Sequence, residues 1–128
     1  MACRAFIVED SPTIRDNLIE TLQELAQVDA VGTADTESEG AVWLAQNDSY
    51  WDLAIVDLFL KEGNGLNILE ALRERKPTQK LVILSNHATN DVRWRCEQMG
   101  ADAVFDKSTE IEKLVDFCLE QGGARSGD

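Results

Sequence analysis

Residues 54–60 read AIVDLFL, an apolar run with one carboxylate, Asp57, in its middle. Burying Ile55, Val56 and Phe59 is favourable, whereas an unpaired buried carboxylate is costly, so the acid calls for a chemical role. Four groups that could share one stand at the ends of similar runs: Glu9 and Asp10 after CRAFIV, Ser85 closing KLVILS, and Lys107 just past VFD. Brought together, the three carboxylates and one ammonium leave a local charge of about −2, repulsive until a divalent cation enters; hard carboxylate oxygens with room for water suit Mg²⁺, or Mn²⁺ in its place. Beside such a cation an aspartate can approach a phosphoryl group without the two anions repelling each other. Carboxylates are covalent phosphoryl acceptors, and phosphoryl transfer asks of a protein mainly positioning and charge neutralisation.

Singly, each group has a plainer reading: Glu9 and Asp10 as solvated loop acids, Ser85 as a turn or cap hydroxyl, Lys107 as a surface charge flanking a helix. Their shared placement after four apolar runs is what favours chemistry, and it requires elements that deliver all of them to one rim. The runs CRAFIVE (3–9), AVGTA (30–34), DLAIVDL (52–58), KLVILS (80–85) and DAVFD (102–106) have the pattern of strands covered on both faces. Between them, helical spacing relates Ile14, Leu18, Leu22 and Leu25; Leu66, Leu69 and Leu72; Val92, Cys96 and Met99; and Ile111, Leu114, Val115, Cys118 and Leu119. Residues 37–48 carry a weaker helical signal. Ser11-Pro12 reads as N-cap and first helical residue, Thr36-x-x-Glu39 and Thr109-x-x-Glu112 as capping boxes, and Gly100 as a stop. Five βα units with right-handed crossovers make a doubly wound α/β domain with an open parallel sheet, whose ligands sit beyond the carboxyl ends of the strands.

The 128 residues suffice for one domain, expected over 1–121, with a flexible tail over 122–128. No apolar run approaches membrane-spanning length, and MACRAFIVEDS has none of the features of a secretory signal, so a cytoplasmic protein without a membrane partner is expected. Cys3, Cys96 and Cys118 lie far apart in sequence and read as reduced core thiols. The net charge of −12 repels nucleic acid phosphates, which argues against direct nucleic acid binding.

In order and spacing, FIVEDSPTIR, AIVDLFLKEGNGL, VILSNHA and VFDKS resemble the receiver domain of two-component response regulators, over roughly residues 3–121. The resemblance implies the flavodoxin-like sheet order 2-1-3-4-5 with five flanking helices. It implies Asp57 as phosphoacceptor, Asp10 as direct and Glu9 as water-mediated Mg²⁺ ligand, and the backbone carbonyl of Phe59 as a further ligand. Ser85 would hydrogen-bond the phosphoryl oxygen and Lys107 would pair with it, with Asn86 beside them. Phe105 takes the aromatic switch position, which turns inward as the strand 4 hydroxyl moves toward the phosphoryl group. The donor would be a histidine kinase or histidine phosphotransfer protein, and the domain would catalyse its own phosphorylation and dephosphorylation. The helix 4, strand 5 and helix 5 face, with Arg93, Trp94 and Arg95, would meet an unidentified output protein, and a homodimer formed on phosphorylation is a further partner.

Some positions depart from the family pattern. Lys61 and Ser108 stand where prolines are usual. Without proline a cis bond costs about 2.5–4 kcal/mol, so Lys107–Ser108 is expected to be trans, or cis and visibly strained. Asn86 replaces a small residue and Phe59 is bulky, which together suggest a shielded acyl phosphate and slow self-dephosphorylation. Three other readings compete. A flavodoxin-type FMN module is disfavoured by the repulsion of Glu9 and Asp10 toward the phosphate. A haloacid-dehalogenase-like phosphatase lacks its D-x-D pair at the end of strand 1. A pseudo-receiver that binds partners without cycling phosphate is kept open by the missing prolines.

Overall fold

The computed structural model describes the backbone of residues 3–126 and the side chains of residues 3–121. Strands and helices alternate: β1 (Cys3–Val8), α1 (Pro12–Ala26), β2 (Val28–Ala34), α2 (Glu37–Gln46), β3 (Leu53–Asp57), α3 (Gly65–Ala71), β4 (Lys80–Ser85), α4 (Asn90–Gln98), β5 (Ala103–Asp106) and α5 (Ile111–Ser126). The sheet is parallel throughout, in the order β2-β1-β3-β4-β5. That is the doubly wound flavodoxin-like arrangement expected from the sequence.

Alternation of side chains along each strand sorts the core into two layers. Ala5, Ile7, Leu53, Ile55, Val82 and Leu84 face α1 and α5 through Leu18, Leu22, Leu114 and Cys118. Phe6, Val8, Ala54, Val56, Leu81 and Ile83 face α2, α3 and α4 through Leu44, Ile68, Leu69 and Cys96. Cys3, Cys96 and Cys118 are all buried, as expected of core thiols. Among the described residues no helix is long and apolar enough to cross a membrane.

Several local expectations need revision. β2 begins at Val28 and is not covered on both faces: Asp29, Ala30, Val31 and Thr33 are exposed, because the strand lies at the sheet edge. Ile14, Leu25 (58% exposed) and Leu119 follow helical spacing yet lie outside the core. Each stands at the margin of an apolar stripe whose centre is Leu18–Leu22 or Leu114–Cys118, and only the centre reaches the sheet. The faint helix over 37–48 forms as α2, where Thr36 accepts a hydrogen bond from the Glu39 N–H (3.2 Å). Ser11 caps α1 through the Ile14 N–H, with Pro12 first in the helix, and Gly100, at φ 107°, follows the end of α4. The Thr109 box does not form. The Thr109 N–H donates to Asp106 Oδ1 (3.2 Å), and α5 starts two residues later, with the Glu110 carbonyl accepting from Leu114. Helix α5 continues to Ser126, within the stretch expected to be a tail, and Gly127 and Asp128 lie outside the described residues.

Candidate functional site

The strand register determines what meets at the carboxyl rim. Val8 pairs with Val56, so the next residues, Glu9 and Asp57, are neighbours across β1 and β3. Asp57 pairs with Leu84, which puts Ser85 one step further along β4, and Ser85 pairs with Asp106, which puts Lys107 just beyond β5. Main-chain bonds continue the sheet past the strand ends: Leu58 N–H to Leu84 O (2.8 Å) and Lys107 N–H to Ser85 O (2.9 Å). The rim is thus an extension of the sheet, and its side chains inherit the rigidity of the core beneath them.

One carboxylate oxygen from each of Glu9, Asp10 and Asp57 lies within 4.8 Å of the other two. Glu9 and Asp57 are buried and Asp10 is partly exposed, so the cluster has one open side. The Lys107 ammonium enters from β5, 2.9 Å from Asp57 Oδ2 and 2.6 Å from Glu9 Oε1. Only the contact to Asp57 is also aligned as a hydrogen bond; Glu9 Oε1, although ion-paired, is buried and receives none. Glu9 Oε2 accepts from the Ser11 N–H (3.0 Å), which fixes the carboxylate in place. A buried oxygen with an unused lone pair, in a group of three hard acids with one side open, fits a hydrated divalent cation of the Mg²⁺ class.

The electrostatics agree with the geometry. Asp57 is pushed up to about 6, by burial first and by the charge of Glu9, against hydrogen bonds from Lys107 and the main chain of Phe59 that favour the ionised form. Burial works to lower Lys107, but its hydrogen bond to Asp57 and the negative charges of Asp57 and Glu9 outweigh it and the net shift is upward. The ammonium stays charged while the aspartate is held as a poorly solvated anion.

The remaining expected residues are distributed around this centre. The Ser85 hydroxyl is buried and accepts from the His87 N–H (3.2 Å), and Asn86 is exposed beside it. Phe59 is 71% exposed, in a loop tied back by an antiparallel bridge to Asn64. Phe105 is half-buried, its ring edge-on to Phe117 with centroids 6.0 Å apart. In the α4 triplet Trp94 (66% exposed) and Arg95 point outward. Arg93 does not: its guanidinium donates to Ala88 O (2.8 Å), Val104 O (3.0 Å) and Glu110 Oε1 (2.6 Å), joining α4 to β5 and the start of α5.

Peptide bonds among the described residues are trans, Lys107–Ser108 included. The turn is organised by Asp106 instead, whose Oδ1 accepts from Ser108 N–H (2.8 Å), Ser108 Oγ (2.7 Å) and Thr109 N–H. Those bonds hold the Asp106 carboxyl well below the usual range.

Sequence reasoning passed over three groups near the site. Asp106 organises its own turn through Ser108 and Thr109, and Glu110 adds to local bonds one from Arg93 on α4, which its neighbours in sequence do not signal. Glu37 stands one residue after a cap threonine, in the first turn of α2. Its Oε1 accepts from the Asn64 N–H (3.0 Å) and from Asn67 Nδ2 (2.9 Å), across to the loop after β3. The only sequence signal was its place in the first turn of a helix, which does not name a partner.

Comparison with known proteins agrees with this geometry. The profile of the response regulator receiver domain matches residues 5–118. The chain is 28% identical over 117 residues to the photosynthetic apparatus regulatory protein RegA of Cereibacter sphaeroides, covering 91% of this chain and 61% of RegA. The chain spans about half the length of the curated relatives it matches. Among solved structures, the receiver domain of the putative response regulator NarL from Mycobacterium tuberculosis superposes with a TM-score of 0.78 at 23% identity, over 93% of this chain and 97% of that one. A Burkholderia pseudomallei response regulator, solved with a phosphorylated aspartic acid, calcium and citrate, superposes at 0.77 with 18% identity, over 98% of this chain and 72% of that one. At these identities the structural likeness speaks for the fold alone.

Proposed function

Because the chain belongs to the response regulator receiver domain family, we propose that it accepts a phosphoryl group on Asp57 from a histidine kinase or histidine phosphotransfer protein in the cytoplasm. The observation that carries the reading is the buried three-carboxylate cluster, with Lys107 bonded to the would-be nucleophile and one Glu9 oxygen left without a hydrogen bond. Glu9, Asp10, Asp57 and the Phe59 carbonyl would hold Mg²⁺, which supplies neutralisation of the charge on the transferring group.

The chain's own residues do the rest. A carboxylate oxygen of Asp57 attacks phosphorus; the P–O bond forms as the P–N bond to the donor imidazole breaks, and the departing ring nitrogen takes up a proton. Lys107 is placed to pair with a phosphoryl oxygen, and the Ser85 hydroxyl, which accepts from the His87 N–H, can donate its own proton to a phosphoryl oxygen by moving toward Asp57. Ser85 opens the loop that Arg93 grips through the Ala88 carbonyl, so that movement reaches α4, β5 and α5, where Phe105 lies. The exposed Trp94 and Arg95 then offer an output partner a changed surface. Support for calling this a regulator comes from the relatives, several of them named as transcriptional regulators and longer than this chain.

The test adds acetyl phosphate, or beryllofluoride as the non-transferable mimic, with Mg²⁺ and follows intact mass and tryptophan emission. We expect uptake of one phosphoryl group by the wild type and none by Asp57→Asn, with no reaction in EDTA. Uptake that survives the substitution or needs no metal removes the assignment; no uptake in any arm points to an interaction domain that does not cycle phosphate.

A further inference from the structure

We infer that Glu37, at the start of α2, is a positioning residue that holds the β3–α3 loop in the shape required for metal binding beside Asp57; this rests on the receiver reading above. The loop carries Phe59, whose carbonyl is the only main-chain ligand proposed for Mg²⁺; Leu58 and Leu60 touch the core, whereas Phe59, Lys61, Glu62 and Gly63 are exposed. The outer part of the loop, residues 61–63, needs polar contacts to hold it.

Glu37 grips the loop on both sides of Gly63. Its own N–H donates to Glu62 O (3.0 Å), while its Oε1 accepts from the Asn64 N–H (3.0 Å) and from Asn67 Nδ2 (2.9 Å). Gly63 lies at φ 89°, and a Cβ there would collide with the Glu37 side chain, so the two segments are in close contact. Asn64 passes the restraint on in two directions. It caps α3 by accepting from the Asn67 N–H (3.1 Å), and it bridges to Phe59, while next to it Gly65 N–H bonds Leu58 O (2.9 Å). The chain of contacts therefore runs from Glu37 through Asn64 to the residue two past Asp57. A group that orients a ligand without touching the metal affects affinity by its geometry, commonly tenfold or more.

One oxygen, Oε1, takes both bonds, which makes the inference separable from a charge effect. In Glu37→Gln the side-chain carbonyl can accept both bonds again, whereas Glu37→Ala loses them and leaves the Thr36 cap in place. Amide hydrogen exchange of the metal-free protein should show residues 58–65 exchanging faster in Glu37→Ala than in wild type or Glu37→Gln, with β3 itself unchanged. Calorimetric titration with Mg²⁺ alone should show affinity weakened about tenfold in Glu37→Ala and within about twofold of wild type in Glu37→Gln. Label uptake from acetyl phosphate should recover at saturating Mg²⁺, which separates loss of positioning from loss of the nucleophile. Unchanged exchange or unchanged Mg²⁺ affinity in Glu37→Ala overturns the inference, and so does a Glu37→Gln that behaves like the alanine variant. A wild type that binds Mg²⁺ but takes up no label defeats the receiver reading alone, because the exchange and titration arms do not depend on phosphoryl transfer.

Discussion

Asp57 is an expensive residue to bury, and the surroundings show how the expense is limited. Lys107 bonds it directly, and the same ammonium serves Glu9. The native state nevertheless holds the Asp57 proton more tightly than an unfolded chain would, with the carboxyl at about 6 against an ordinary 3.8. Between those values the folded state binds more protons than the unfolded one, so stability falls as pH rises through the window and the loss is complete above about 6. In EDTA we expect Asp57→Asn to melt higher than wild type at pH 7.5 and close to it at pH 4, as read by thermal denaturation at both values. An equal gain at both would mean that the charge of Asp57 is not what costs stability. The complementary change, Lys107→Met, leaves the buried acids without their cation. Breaking a buried pair in this way costs about 3–5 kcal/mol, and the loss should be largely recovered by millimolar Mg²⁺; calorimetric melts with and without the metal check it. A variant equally unstable in both would argue that Lys107 matters for packing rather than for charge.

At the scale of elements, α4 and α5 are coupled less by apolar contact than by Arg93. It reaches the loop after β4, the strand β5 and the residue just before α5, and Glu110 in turn accepts from the Asp106 N–H (2.9 Å). These bonds, that from Arg93 first, hold the Glu110 carboxyl down at about 2. A depressed folded value contributes stability that is present above about 4.5 and lost as pH falls toward 2. Arg93→Met should therefore lower the melting temperature by roughly 5 °C at pH 7 and by less near pH 2.5, where only the bonds to the Ala88 and Val104 carbonyls are lost. A deficit of the same size at both would remove Glu110 from the account. A different constraint operates where α3 meets β3. A Cβ on Gly65 would stand 2.6 Å from the Asp57 carbonyl oxygen, closer than van der Waals contact allows. Gly65→Ala must move either the helix start or the strand end, and we expect weaker Mg²⁺ binding together with a loss of about 1–3 kcal/mol, measured by titration and by denaturant melts.

Across the whole molecule, the parallel sheet gathers three acids from two separate segments at one rim on a chain already at −12. A surface of that sign should neither retain nor be retained by duplex DNA. We expect no shift of DNA in a gel at low salt for these 128 residues, and a salt-sensitive shift would show a basic face that net charge conceals. Two of the three tryptophans are sheltered, Trp51 in the core with its Nε1 donating to Leu44 O and Trp43 stacked on Phe6 at 4.1 Å. Trp94, exposed on α4, is the natural reporter of a change arriving from Asp57.

Much of this could be read from the chain alone, because the signals are local and periodic. Alternating apolar runs and helical spacings gave five βα units, the strand ends pointed to Glu9, Asp10, Asp57, Ser85 and Lys107, and resemblance supplied the sheet order that the structure bears out. What spacing could not give was the depth of each stripe or the far partner of each polar group. Leu25 and Leu119 follow the helical period yet stay outside the core, since periodicity defines a face without saying how much of it the sheet covers. Arg93 reads as part of an exposed basic triplet, yet its guanidinium is spent on Ala88, Val104 and Glu110. Nothing in the sequence around Glu37 names its partner, a loop 27 residues away. A residue's type and its neighbours in sequence determine what it can bond; which bond it makes depends on what the packed sheet brings within 3 Å, and that is settled only when distant segments share one surface.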